Sequence, residues 1–310
     1  MRKQAGLTRI DAVVALACVA LVLAQASIIN AGGRERSKLE VCLANLRSLA
    51  AAWQIYAGDN AGKLVNGAPL GPGDNPPASF ACPAPTAGTD GRTKALAPAT
   101  GNALAGVWGG NYLSIHQNEL PWIGPAYAFD ASGQWLDTLH QTECLQRVAI
   151  QTGALWKYTG DYNVYRCPVG NKDMVVTYSI IDSMNGKTIF SDTSGQAILI
   201  KTLSQITNPA KKIVFIDEGQ PTPDSYAVYY NQQMWFDLPP VRHEAGTCVS
   251  FADGHSVFHK WKAKETIGVG SGGSYYMNPI TCDGFNDLYW VQIGCWGKLG
   301  YTPSCPVSIE

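Results

Sequence analysis

Charged residues are scarce in this sequence, at 15% of the chain, against about 25% in ordinary soluble domains. The net charge is −1, so no basic surface argues for nucleic acid. A nucleophile elbow of the form G-x-S-x-G, a phosphate-binding loop and a dinucleotide-binding glycine motif are all missing from the sequence. These absences predict a protein that is not an enzyme of these common classes and has no nucleic-acid partner.

The N-terminus joins a short basic leader to a long apolar run. Arg2 and Lys3 precede Gly6, and an almost wholly apolar stretch follows Asp11 and extends over residues 12–29. A stretch of about 18 apolar residues is just long enough for one transmembrane helix. Positive residues favour the cytoplasmic side of a membrane. The rest of the chain is therefore predicted to lie outside the cytoplasm.

This order of features resembles the class III signal of type IV pilins and type II secretion pseudopilins. The resemblance implies cleavage by prepilin peptidase after Gly6 and methylation of Leu7 as the new N-terminus. Asp11 takes the fifth mature position, where the family carries Glu, and would pair with the free amine of a neighbouring subunit during assembly. Arg9 departs from the family, which has an apolar residue there. The alternative is a plain signal anchor that is not cleaved in this way.

Beyond Gly32 and Gly33 the apolar pattern becomes amphipathic. Apolar residues recur at steps of three and four, which places them on one face of a helix: Leu39, Cys42, Leu46, Leu49, Trp53 and Tyr56. The sequence predicts residues 1–6 as the leader and one helix over residues 7–57. Residues 7–31 of that helix would lie in the membrane or filament core, and the remainder would pack on a sheet.

About 250 residues follow the helix, enough for one large globular head, predicted over residues 58–310. Its strands are indicated by β-branched and aromatic content in three short segments: VYRCPV from Val164, TYSI from Thr177 and KKIVFIDEG from Lys211. Residues of about 66–150 are predicted as a large loop insertion. The predicted fold class is α+β, with a long N-terminal helix packed on an antiparallel sheet, as in pilins.

Residues 242–261 carry a second strong signal. Two alternating runs flank Asp253 and Gly254, which favour a two-residue type I′ turn. Pairing across such a turn would place three residues on one face: Val249, Phe251 and Phe258. Nine residues separate His243 from Asp253, and this spacing resembles the H-x9-DG signature of a large pilin-like family. The resemblance covers roughly residues 1–65 and 153–261, and it implies a structural subunit with His243, Asp253 and Gly254 as its motif.

The sequence has nine cysteines, and eight remain when Cys18 in the apolar run is set aside. An even number in an exported domain favours disulfides. We predict that Cys42 pairs with Cys167, tying the helix to the sheet, and that Cys82 pairs with Cys144, closing the insertion. No C-x-x-C pair is present, which weakens the case for a structural zinc site.

Two further groups of residues offer metal ligands. The first contains histidines and acids near the hairpin: Asp217, Glu218, His243, Asp253, His255 and His259. Their positions on strands and in a turn favour structural roles. The second group is Asp283, Asn286 and Asp287, whose oxygens suit calcium. Resemblance to pseudopilins that stabilise a C-terminal loop with calcium implies a site there, against the alternative of a solvated turn.

The sequence as a whole predicts a structural subunit of a pilus or pseudopilus. Such a subunit would be a single-pass inner-membrane protein with an extracytoplasmic head, and then part of a periplasmic or extracellular filament. Its partners would be prepilin peptidase and other copies or co-assembling pilins. One alternative is a membrane-anchored protein that binds glycans or other ligands through its aromatic head without polymerising. Another is a metal hydrolase on the same anchor, which rests only on the histidines.

Overall fold

The computed structural model describes residues 9–68, 119–124, 143–186, 198–219, 225–271 and 278–308, with the side chains of residues 9–32 and of residue 145 outside that description. The helices and strands of this part follow in chain order: α1 (Arg9–Asp59), α2 (Glu143–Thr152), α3 (Trp156–Thr159), β1 (Tyr178–Ile180), β2 (Ile213–Asp217), β3 (Gly246–Phe251), β4 (Ser256–Lys260), α4 (Lys264–Gly270) and α5 (Cys282–Trp296). Short 3-10 turns connect them: Tyr162–Tyr165, Leu203–Gln205 and Pro209–Lys211. Helices and an antiparallel sheet together confirm the α+β class.

Helix α1 is the longest element. Its 51 residues would extend over about 77 Å at an α-helical rise. The C-terminal part of α1 buries one stripe completely: Cys42, Leu46, Leu49, Trp53 and Ala57. On other faces of the same helix, Val41 is 46% exposed and Ile55 is 52% exposed. The predicted amphipathic face is therefore confirmed, because burial follows the three-and-four spacing of the apolar residues.

The sheet has four antiparallel strands in the order β1-β2-β3-β4. Every residue of β2 and β3 is buried, as expected of central strands covered by other elements. The strands predicted from Thr177 and from Lys211 are confirmed by β1 and β2. The predicted strand from Val164 is wrong. There the Asp161 side chain caps a 3-10 turn by accepting from the backbone N–H of Asn163, which directs the chain away from strand pairing.

The hairpin predicted around Asp253 and Gly254 is confirmed, but its predicted register is wrong. Cys248 lies opposite Phe258, and Val249 lies opposite Val257. Phe258 therefore shares a face with Cys248 and not with Val249. The loop contains one more residue than a type I′ turn, since the backbone of Phe251 bonds both Gly254 and His255. Gly254 has φ of 97°, the left-handed conformation that closes such three-residue loops.

Part of the predicted insertion belongs to the core. Trp122 and Ile123 are both 1% exposed. The Trp122 ring stacks on Tyr165 at 6.1 Å and meets Phe215 of β2 edge-on at 5.5 Å. Nothing in the local sequence pattern indicated this packing. Residues 69–118 and 125–142 of the insertion lie outside the described residues.

No helix in the part of the chain whose side chains are described is both long and apolar enough to cross a membrane. The predicted span of residues 7–31 lies outside that part, because residues 1–8 are not described and the side chains of residues 9–32 are not described either. The span therefore stays a prediction.

Candidate metal centre

A cluster of metal-binding side chains lies where helix α1 meets the sheet. Its members come from separate segments: Cys42 of α1, Cys167 after the first 3-10 turn, Asp217 at the end of β2, His243 in the turn before β3, and Cys248 of β3. Cys42 belongs to the buried stripe of α1, and this positions its thiol against the sheet. Tyr178 is the direct cross-strand partner of Asp217, so their side chains lie on the same face.

The ligand atoms of this cluster are close together. One atom each of Cys42, Asp217, His243 and Cys248 lies within 4.8 Å of all the others. The Cys42 Sγ is 3.4 Å from the Asp217 Oδ2, and the His243 Nε2 is 3.8 Å from that same oxygen. The Cys167 Sγ is 3.2 Å from the His243 Nε2. The five groups thus form one compact set of potential ligands.

The cluster is closed to solvent. Cys42, Cys167, Asp217 and Cys248 have no exposed surface, and the side chain of His243 is 3% exposed. The Tyr178 hydroxyl covers Cys42 and donates to its Sγ at 3.4 Å. A substrate molecule has no described route to these groups. A small ion is the largest partner that the arrangement suits.

The backbone holds His243 in an unusual conformation. His243 has φ of 46° and the following Glu244 has φ of 78°, both in the left-handed region that non-glycine residues seldom adopt. The turn is closed by paired backbone hydrogen bonds between Arg242 and Gly246. Strained backbone of this kind persists only where the surrounding structure enforces it, and it is enriched at functional sites. Here it directs the imidazole of His243 into the cluster.

Burial determines the protonation of the cluster. Burial raises the pKa of the Cys42 thiol, and the neighbouring Cys42 thiol together with burial raises the pKa of Cys167. Burial also raises the pKa of Asp217 to about 6. The pKa of His243 is lowered, again mainly by burial. The imidazole is therefore neutral near pH 7, and we regard its 3.8 Å contact with Asp217 as no ion pair.

Two buried atoms of the cluster have no hydrogen-bond partner among the described residues. They are the Oδ1 of Asp217 and the Nδ1 of His243. Buried polar atoms are nearly always hydrogen-bonded, and an orphan often marks the place of an ion or a water molecule. Thiolate, imidazole and carboxylate are the ligands of zinc in proteins. The donor types of the cluster therefore suit a zinc ion.

The predicted disulfide between Cys42 and Cys167 is not formed in the structure, where both are free thiols. The two cysteines are nevertheless close to each other, since both belong to the cluster. The other predicted pair is not tested. Cys144 is disulfide-bonded, but Cys82 lies outside the described residues. A disulfide joins Cys282 and Cys305, two cysteines whose pairing the sequence left open.

The other residues of the hairpin do not join the cluster. The Nδ1 of His255 lies 2.5 Å from the Oδ1 of Asp253, and the His255 ring stacks on Phe251. Asp253 and Gly254 form the turn itself. His259 stacks on Trp290 of α5. Of the H-x9-DG motif, only His243 contributes a ligand atom, and the structural reading of Asp253, His255 and His259 agrees with these contacts.

The residues predicted to bind calcium do not fit that ion. Asp283, Asn286 and Asp287 lie in helix α5, so the predicted loop is wrong. Both carboxylate oxygens of Asp287 already accept backbone N–H groups, from Lys262 and Ala263. The Oδ1 of Asn286 accepts from a backbone N–H as well. Because calcium needs six or more oxygen ligands, we do not carry this site further.

The residues predicted for processing and assembly are not placed by the structure. Gly6 and Leu7 lie outside the described residues, and Asp11 lies in helix α1 but its side chain is not described. Sequence reasoning also missed the role of Cys248 and named Asp217 only as a neighbour of the histidines. The available signal in the sequence was weak: Cys248 alternates with Val249 along the predicted strand and so faces the opposite side of the sheet.

Comparisons of the chain with protein-family models, with curated proteins and with solved structures found no match. The function is therefore argued from the residues and the fold.

Proposed function

We propose that this protein is a structural subunit of a pilus or of a type II secretion-like pseudopilus. The observation that carries the proposal is the single uninterrupted helix α1, Arg9–Asp59, whose C-terminal part packs on an antiparallel sheet. The first fully buried side chain described in α1 is Cys42. About 50 Å of helix, at 1.5 Å per residue, precedes it. A long helix of this kind suits a subunit that assembles through its N-terminal part.

The sequence of that N-terminal part supports the proposal. It carries the basic leader, Gly6, Asp11 and the apolar run over residues 12–29. A lone acid in an apolar helix is costly in lipid unless it has a partner. In a filament, the amine of Leu7 on a neighbouring subunit would be that partner, freed by cleavage after Gly6. Subunits would wait in the inner membrane, and their helices would then pack into the core of the filament.

A filament assay on Asp11 tests the assembly step. We expect Asp11→Ala to be cleaved after Gly6 as efficiently as the wild-type chain and to form no filaments, because the amine loses its partner. Asp11→Glu is the matched control and should still assemble, since it keeps the carboxylate. Shearing and electron microscopy measure filaments, and immunoblotting measures processing. Filaments of wild-type yield from Asp11→Ala would overturn the proposal.

The two alternatives have less support. The largest described aromatic side chains, Trp53, Trp122 and Trp261, are buried in the core. The exposed large apolar side chains of the described residues include no aromatic: Val41, Ile55, Leu120, Ile280 and Val307. A surface for stacking sugars is therefore not seen in the described part of the head. A hydrolase would need an open site, whereas the cluster around His243 is closed.

A further inference from the structure

We propose that Cys42, Asp217, His243 and Cys248 bind one zinc ion, which fixes helix α1 to the sheet. The site would be structural, since it is closed to solvent and offers four protein ligands. It is independent of the proposed function, because it concerns the head alone and would exist whether or not a filament forms.

The spacing of the ligand atoms supports the proposal. A zinc ion about 2.3 Å from sulfur and about 2.0 Å from nitrogen or oxygen holds its ligand atoms roughly 3.3–3.8 Å apart in a tetrahedron. The Cys42 Sγ and the Asp217 Oδ2 are 3.4 Å apart, and the His243 Nε2 and the same oxygen are 3.8 Å apart. All four atoms lie within 4.8 Å of one another. Small movements would complete the coordination shell.

The charge of the cluster supports it further. A fully buried carboxylate and several buried thiols share one closed space, and a dication would stabilise their ionised forms. Zinc binds cysteine as the thiolate, so its binding to these side chains would release thiol protons. The Oδ1 of Asp217 is an orphan, and the hydrogen bond that its Oδ2 accepts from the Cys42 thiol would be replaced by the two bonds of these atoms to the ion. The Nε2 of His243 lies in the same closed space, 3.8 Å from the Asp217 Oδ2.

The ligand types select zinc over other ions. Thiolates with an imidazole are typical of zinc, whereas calcium and magnesium prefer oxygen ligands alone. The absence of C-x-x-C pairs is not an obstacle here, because the fold brings the ligands together from α1, β2, β3 and the turn before β3. Such a site would link the helix to both central strands at one point.

Cys167 lies beside the proposed site and offers two alternatives to it. Its Sγ is 3.2 Å from the His243 Nε2, so it could replace Asp217 as a ligand. It could instead form a disulfide with Cys42, the neighbour whose thiol raises its pKa. In the proposal, Cys167 remains a thiol beside the zinc ion.

The first experiment uses the wild-type protein and therefore does not depend on the folding of a variant. Zinc in the protein purified without added metal is measured by inductively coupled plasma mass spectrometry, and its ligands by zinc X-ray absorption. We expect about one zinc per chain, coordinated by two sulfur and two nitrogen or oxygen atoms. No retained zinc, and no binding of added zinc, would overturn the proposal. Three sulfur ligands would contradict the assignment of Asp217 in favour of Cys167.

Variants then test the named ligands. We expect Cys248→Ser and His243→Gln to retain less than about a tenth of the zinc of the wild-type chain. Cys295→Ser is the matched control, since Cys295 is also buried and free but lies outside the cluster, and it should keep its zinc. Circular dichroism verifies that each variant is folded. Wild-type zinc content in folded Cys248→Ser, or a Cys42–Cys167 disulfide found by peptide mapping, would overturn the proposal.

Discussion

At the scale of single residues, burial decides how the histidines of the head behave. Burial, together with the nearby charge of Lys262, lowers the pKa of His259 from 6.5 to about 4. Its ring stacks on Trp290, and its Nε2 has no hydrogen-bond partner among the described residues. His259 is thus a neutral packing residue at pH 7, unlike His243, whose ring nitrogen contacts potential metal ligands.

The lowered pKa of His259 predicts a pH dependence of stability. In the unfolded chain His259 takes up a proton near pH 6.5, and in the folded chain only near pH 4. The stability that depends on the neutral ring is therefore complete above pH 6.5 and is lost as the pH falls towards 4. The loss would reach up to about 3 kcal/mol. We expect His259→Phe, which keeps the stacking on Trp290, to flatten this part of the profile. Urea unfolding of both proteins at several pH values measures it, and an equal slope in the two would contradict the assignment.

The positive φ of Glu244 makes a second prediction at this scale. Its φ is 78°, which costs about 1 kcal/mol or more for a residue with a Cβ. We expect Glu244→Gly to raise the free energy of unfolding by about 1 kcal/mol. Glu244→Ala is the control and should give no such gain, because alanine keeps the Cβ. Equal stability of the glycine and alanine variants would show that the backbone there is not strained.

At the scale of elements, the contact between helix α1 and the sheet is the main feature of the head. Leu49 is fully buried, whereas Ile55 on another face of the helix is 52% exposed. We expect Leu49→Ala to lower the free energy of unfolding by about 2–5 kcal/mol, through lost burial and the cavity left behind. Ile55→Ala should change it by no more than about 0.5 kcal/mol. Similar losses from both changes in chemical denaturation would contradict the packing of α1.

The C-terminal disulfide gives another prediction for an element. Cys282 at the start of α5 and Cys305 are 23 residues apart in sequence, and closing a loop of that size stabilises a fold by about 3 kcal/mol in the chain-entropy model. Replacing both cysteines by alanine is expected to lower the free energy of unfolding by about that amount. Treating the wild-type protein with a reductant should lower it by at least as much, since the reductant also breaks the disulfide of Cys144. An unchanged unfolding midpoint in the double variant would argue against the bond.

The same elements show what the sequence could and could not predict. The stripe on α1 and the strands β1 and β2 followed from periodicity and β-branched content, which are local signals. The hairpin was predicted from Asp253 and Gly254, but one extra loop residue shifted the register and moved Phe258 to the other face. Turn geometry decides such a shift, and several loops fit the same residues. The packing of Trp122 in the core depends on contacts with residues distant in sequence, so no local sequence pattern predicts it.

At the scale of the whole molecule, the candidate metal centre could not be predicted from local sequence patterns either. Cys42 and Cys248 are separated by most of the chain, and the fold alone brings them within 4.8 Å. From the sequence alone, each of these cysteines could form a disulfide with several others, and the predicted partner of Cys42 was Cys167. The chain nevertheless places His243 beside all three of these thiols. A single closed site thus joins the helix, the two central strands and the turn before β3.

The proposed function requires a chain that is processed at its N-terminus and assembles through its N-terminal helix. The most direct measurement is the N-terminal residue of the native protein, by intact-mass and terminal-peptide mass spectrometry. The proposal predicts a chain that begins at Leu7 with a methylated amine. A chain that keeps Met1, or one cut beyond residue 31, would contradict it and would favour an anchored or secreted binding domain.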